Sequence, residues 1–204
     1  MRLKTIVAVL FAAGATAAQA NPNLITNGGF ESSSFNGQYI TYSAGSSALT
    51  GWSIGGDSVD LINTYWNPAA GSYSLDLSGS SSGFISQSFA TVVGQLYRVS
   101  FDMAGNPDDS NKIKSLMVSL SGTPFYSFDA TGMNHTNMGW TTKGFDFIAA
   151  GSFSTLAFSS MNASAYGPAL DNISVIAVPE PEAYAMFLAG LGLIGFMASR
   201  RRID

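Results

Sequence analysis

The chain has 204 residues, nine Lys or Arg against thirteen Asp or Glu, one histidine and no cysteine, for a formal charge of −4. The missing cysteine excludes a disulfide framework, a thiolate nucleophile and a zinc–thiolate site. Between residues 21 and 178 four bases face ten acids, a net of −6, and such a body has no basic patch for nucleic acid.

Residues 1–20 have the layout of a secretory signal peptide, a short helix removed on export. Arg2 and Lys4 form its charged start, 6–13 its apolar segment, and Ala18-Gln19-Ala20 its small-residue cleavage site. The body, 21–177, is the size of one domain that can bury its own core. It is rich in Gly, Ser, Thr and aromatics, and its short alternating segments are bounded by Gly, Asn, Pro or Ser. This pattern predicts strands at 24–26, 38–42, 51–54, 59–62, 72–77, 83–89, 96–104, 113–120, 124–128, 141–148, 155–159 and 169–176. Tyr97, Val99, Phe101 and Met103 fall on one face of such a strand, with Arg98, Ser100 and Asp102 on the other. Two antiparallel sheets burying such rows against each other give an all-β, jelly-roll-like sandwich.

Little in the body points to catalysis. Gly79-Ser80-Ser81-Ser82-Gly83 spells a nucleophile elbow, which needs a strand turning sharply into a helix beside a His and an acid. Here it sits in a Ser/Gly run between two predicted strands. The sole histidine, His135, lies in the polar stretch Asn134-His135-Thr136-Asn137 and reads as a solvated loop residue. A glycosidase needs two carboxyls roughly 5–10 Å apart, and none of the aspartates stands in such a pattern. The chain reads as a non-enzyme. Asn106-Pro107-Asp108-Asp109-Ser110-Asn111, dense in Asx residues, reads as an exposed turn before it reads as an ion site.

Sugar recognition is better supplied. Sugars offer apolar CH faces to aromatic rings and hydroxyls to amides and carboxylates. Tyr65 and Trp66 within Asn63–Asn67, Tyr166 beside Gly167-Pro168, and Trp140 after Asn137 place rings next to polar groups in loop-like segments. The expected ligand-binding set is therefore Tyr65, Trp66, Trp140 and Tyr166, with burial in the core as the alternative for each tryptophan. A polysaccharide is the expected partner. The other reading is a structural surface or adhesion protein without a saccharide pocket.

After the body comes Val178-Pro179-Glu180-Pro181-Glu182, then seventeen residues without charge, 183–199, then Arg200-Arg201-Arg202. Seventeen helical residues span about 25 Å, at the short end of what crosses a bilayer, and the arginines favour the cytoplasmic side. Pro-Glu-Pro, a Gly-rich apolar helix and a terminal Arg cluster in this order resemble the PEP-CTERM sorting signal. That resemblance implies that Pro179, Glu180 and Pro181 form a sorting motif read by an exosortase, an integral-membrane transpeptidase-like enzyme. The segment 178–204 would then be a transient inner-membrane anchor on a protein bound for the cell surface or extracellular matrix.

The body carries a second resemblance. Asn23-Leu24-Ile25-Thr26-Asn27-Gly28-Gly29-Phe30-Glu31 and the closing Ala169-Leu170-Asp171-Asn172-Ile173-Ser174-Val175 are similar to the first and last strands of galactose-binding-like and carbohydrate-binding jelly rolls. Leu49–Trp52, Val59–Ile62 and Asn137–Thr142 look like the bacterial choice-of-anchor C extracellular domain. The resemblance implies a structural calcium held by Glu31 and Asp171, an ion that takes six to eight hard oxygens. The alternative is that both carboxylates bond turn backbone.

Overall fold

The alternation is realised as eleven strands. They are β1 (Tyr39–Ser43), β2 (Ser53–Gly56), β3 (Ser58–Ile62), β4 (Ser74–Asp76), β5 (Gly83–Ala90), β6 (Leu96–Gly105), β7 (Ile113–Ser119), β8 (Phe125–Asp129), β9 (Thr141–Ile148), β10 (Phe153–Ser160) and β11 (Pro168–Ala177), followed by one helix, α1 (Pro181–Arg200). The computed structural model describes residues 21–120, 124–179 and 181–200, without the side chains of 181–186, 196 and 198–200. Ala18, Ala20, Glu180 and the Arg201-Arg202 pair lie outside the described residues.

The strands form two antiparallel sheets, ordered β1-β3-β4-β11-β6-β9 and β2-β5-β10-β7-β8. From β4 onward the chain alternates between them except at the β7–β8 pair, which stays in one sheet, so that β4-β11-β6-β9 faces β5-β10-β7-β8. That is the strand order of a jelly roll, two Greek keys wrapped into a sandwich. The expected fold is the one observed.

The inward row of β6, Tyr97, Val99, Phe101 and Met103, is buried at 3 % exposure or less, and Leu116, Val118, Leu156 and Phe158 answer it from the other sheet. Phe101 meets Phe158 edge-on at 5.0 Å and Tyr126 at 5.2 Å. Each such ring or branched side chain contributes about 1.5–3 kcal/mol on burial. Trp52 joins this core, its indole N–H donating to Asn27 O at 3.0 Å.

The segment 24–26 is not a strand, although Leu24 N–H does donate to Val175 O at 2.8 Å. Side chains then take over the pairing. Asn23 Oδ1 accepts from Val175 N–H at 2.9 Å, and the Gln87 amide exchanges two bonds with the Thr26 backbone at 2.7 and 2.9 Å. The chain next turns through left-handed backbone at Asn27 (φ 55°) and Phe30 (φ 64°). Gly28 lies so close to β11 that a Cβ there would stand 2.0 Å from Ile173 O. The Asn-Gly-Gly opening is a close-approach turn docked on a bulge in β11 between Asp171 and Ser174.

Candidate functional site

β6 ends at Gly105, β8 at Asp129 and β10 at Ser160, while β9 and β11 begin nearby. The loops 106–112, 130–140 and 161–167 therefore gather at one end of the sandwich. Asn106 N–H donates to Gly167 O at 3.0 Å, and Ala130 N–H to Lys112 O at 2.9 Å. The β3–β4 loop, 63–73, crosses the outer side of the first sheet to join them. Asn67 N–H donates to His135 O at 2.8 Å and its side-chain amide to Thr136 O at 2.9 Å.

Two carboxylates hold the far half of that loop. Asp171 Oδ2 accepts Ala69 N–H (2.9 Å) and Ala70 N–H (3.1 Å), and its Oδ1 accepts Asn172 N–H (2.7 Å). Glu31 Oε1 accepts Ser72 N–H (2.7 Å) and Tyr73 N–H (2.9 Å). The two acids expected to hold calcium are thus brought to one loop, where both Asp171 oxygens and Glu31 Oε1 accept backbone N–H groups. This donor set is what the turn-bonding alternative requires. Among the described residues no group of three or more His, Cys, Asp or Glu could hold a metal ion.

At the near half of the loop, Tyr65 donates its hydroxyl to Asp108 Oδ2 at 2.6 Å, and His135 Nε2 lies 2.9 and 3.0 Å from the two Asp108 oxygens. The Tyr65 and His135 rings sit 4.5 Å apart, and Tyr39 from β1 meets Tyr65 edge-on at 5.5 Å. The bond to Asp108, burial, and the nearby Asp108, Tyr39 and Tyr166 push the Tyr65 phenol up to about 12, so it stays a proton donor. Tyr39 is 49 % and Tyr166 40 % exposed. Pro107, Asp108, Met133, Asn134, His135 and Thr136 line an open hollow beside them.

The ligand residues expected from the sequence separate here. Tyr65 and Tyr166 reach this surface. Trp66 does not: it is 2 % exposed and its indole N–H donates to Ser74 Oγ at 2.9 Å, so it packs the loop onto the sheet and offers no face to a ligand. Trp140 is half-buried, and its N–H is used on Asn67 O at 3.0 Å, fastening the loop. Tyr39, Asp108 and His135 belong to the surface but are not in the expected set. Their signal is three-dimensional, because the Asx-rich turn and the lone histidine meet only across the loops.

A buried lysine closes the end of the core below. Lys114 has no exposed surface, and its Nζ pairs with Asp109 Oδ2 at 3.0 Å. That pairing holds the Asp109 carboxyl below the usual carboxylate range. Ser81 lies between β4 and β5, a turn between two strands and not the strand-to-helix turn of a nucleophile elbow.

Past β11, α1 starts at Pro181, a first-turn position that proline suits. Its described side chains include Phe187, Leu188, Leu191, Leu193, Ile194 and Met197, all exposed. Among the described residues no helix is long and apolar enough to cross a membrane.

Residues 23–176 match the family model described as protein of unknown function (DUF642), and residues 177–202 match that of the PEP-CTERM protein-sorting motif. Halomucin of Haloquadratum walsbyi is 33 % identical over 175 residues, which is 82 % of this chain but only 2 % of that protein. Among solved structures, TmCBM61 in complex with β-1,4-galactotriose is similar at 20 % identity and TM-score 0.48, covering 77 % of this chain and 99 % of that one. The CBM22-1 xylan-binding domain of Paenibacillus barcinonensis Xyn10C is similar at 16 % identity and TM-score 0.47, covering 80 % and 99 %. The strand order of the two sheets carries the fold assignment.

Proposed function

The chain belongs to the family of proteins of unknown function DUF642 and carries a PEP-CTERM sorting motif, and from that premise we propose that it is an exported, non-catalytic polysaccharide-binding protein. The observation that carries this reading is the cluster of Tyr39, Tyr65 and Tyr166 beside Asp108 and His135 at the loop end. Partly exposed rings supply faces for sugar CH groups. Asp108, Asn134 and the Tyr65 hydroxyl supply polar partners for sugar hydroxyls, and fixed partners cost less ordering on binding.

Delivery is the second half of the reading. The signal at 1–20 starts export, the tail enters the inner membrane, and an exosortase acts at Pro179–Pro181. The product then goes to the cell surface or the extracellular matrix. The full chain, solubilised and labelled, is tested on an array of neutral and acidic glycans. Retention by a polysaccharide class, lost in Tyr39→Ala and Tyr65→Ala, is the expected result. No binding to any glycan would reject the reading in favour of a structural or adhesive role.

A further inference from the structure

The other end of the sandwich is built differently. There the β5–β6 turn, 91–95, and the β9–β10 turn, 149–152, are laced together. Thr91 N–H donates to Ser152 O (2.9 Å), Gly94 N–H to Ala149 O (2.9 Å) and Ala149 N–H to Gln95 O (3.0 Å). The paired turns present Val92, Val93, Ile148 and Phe153 at 66, 65, 60 and 70 % exposure. No residue in 91–95 or 147–153 is charged, although the body as a whole is acidic. A neighbouring apolar hollow is lined by Pro22, Leu24, Ala90, Val92, Tyr97 and Ala177 among others. Contiguous exposed apolar surface of this kind marks a contact site.

The chain leaves the body at this same end. Val178 N–H donates to Leu96 O at 2.9 Å, and Gln95 Nε2 donates to Val178 O at 2.7 Å. Only Pro179 and Glu180 separate Val178 from the start of α1, so three residue steps of about 11 Å at most join the anchored end of the body to the helix.

We propose that this uncharged end is a lipid-docking surface, on which the body rests against the bilayer while its tail is inserted. The proposal rests on the reading that the tail enters the membrane. A tether this short keeps the patch within reach of the lipid surface at all times, so its effective concentration there is high and a weak contact suffices. Valine, isoleucine and phenylalanine side chains enter the headgroup–acyl boundary, where the absence of charge spares them a desolvation cost. Docking would also fix the height of the Pro179–Pro181 segment at the membrane surface, where a membrane-embedded protease works.

The chain has no cysteine, so single-cysteine probes are clean. Full-length Val93→Cys, Phe153→Cys, Tyr166→Cys and Leu191→Cys variants are labelled with an environment-sensitive fluorophore. They are reconstituted in phosphatidylethanolamine–phosphatidylglycerol vesicles and challenged with spin-labelled lipid. Quenching at positions 93, 153 and 191 but not 166 is expected. Quenching at 191 with none at 93 and 153 would overturn the docking surface while leaving the tail reading intact. No quenching at 191 would overturn both. A Val93→Cys disulfide dimer formed in detergent would assign the patch to a second copy of the chain and also overturn the proposal.

Discussion

Tyr65 and Asp108, forty-three positions apart, share a 2.6 Å hydrogen bond, and the same carboxylate reaches His135 Nε2 at 2.9 Å. This bond sets the tilt of the Tyr65 ring against His135 and ties the β3–β4 loop to the β6–β7 loop. Replacing Tyr65 by Phe keeps the ring but frees it, and leaves Asp108 with His135 as its ring partner. A loss of about 1 kcal/mol, roughly fivefold in Kd for the bound glycan, is expected, against a much larger loss for Tyr65→Ala. Titration calorimetry of both variants reads the difference, and a Tyr65→Phe variant that binds as tightly as the parent would show that the bond positions nothing.

Trp66 and Tyr166 separate packing from recognition. Trp66→Ala opens a cavity under the β3–β4 loop and should cost about 3–5 kcal/mol of stability. Tyr166→Ala, at a 40 % exposed ring, should stay within about 0.5 kcal/mol of the parent. Denaturant unfolding of the two variants checks this. A stable Trp66→Ala variant would contradict the buried placement.

The loop anchors make a prediction about metal. With Asp171 and Glu31 each accepting two loop N–H groups, EDTA should leave the melting temperature unchanged. Asp171→Ala should lower it, because it strands Ala69 and Ala70 N–H groups at about 1–3 kcal/mol for a buried donor. A melting temperature that falls on chelation and recovers with calcium would show that the carboxylates hold an ion.

What the sequence makes legible depends on the range of the interaction. The 97–103 alternation and the Gly- and Asn-bounded segments are local, and they locate β6, β9 and their neighbours within a residue or two. The opening at 24–26 reads as a strand, and it is not one, because the side-chain amides of Asn23 and Gln87 imitate strand pairing and alternation does not record that. Tyr65 and Trp66 have the same sequence neighbourhood, yet adjacent positions in a loop point opposite ways, one to Asp108 and one to Ser74. Likewise His135 reads as solvated because its partner lies twenty-seven residues away.

Stability should fall as pH rises through the weakly acidic range. Burial pushes the Asp76 carboxyl up to about 7, against the pull of Asn106, Ser78 and Gly167 N–H donors, and raises Asp171 to about 6. Asp60, beside Asp76 in cross-strand register, is also raised by burial. A carboxyl raised in the folded state binds its proton more tightly there than in the unfolded chain. Its contribution is therefore full below about pH 4 and lost by about pH 7. For Asp76 alone the ceiling is about 4 kcal/mol. The carboxyls held low, Asp146 by Arg98 and Asp109 by Lys114, act below this window. Urea midpoints at pH 5 and pH 8 should differ, with the difference reduced in Asp76→Asn. Equal midpoints in the parent would refute the assignment.

The loop-end surface is tested most directly by native affinity electrophoresis of the full chain in detergent, through gels with and without the retaining polysaccharide. Retardation of the parent and of Asp171→Asn, with free migration of a Tyr39→Ala/Tyr65→Ala/Tyr166→Ala variant that still unfolds cooperatively, is the predicted result. Equal retardation of that triple variant and the parent would contradict binding at this surface.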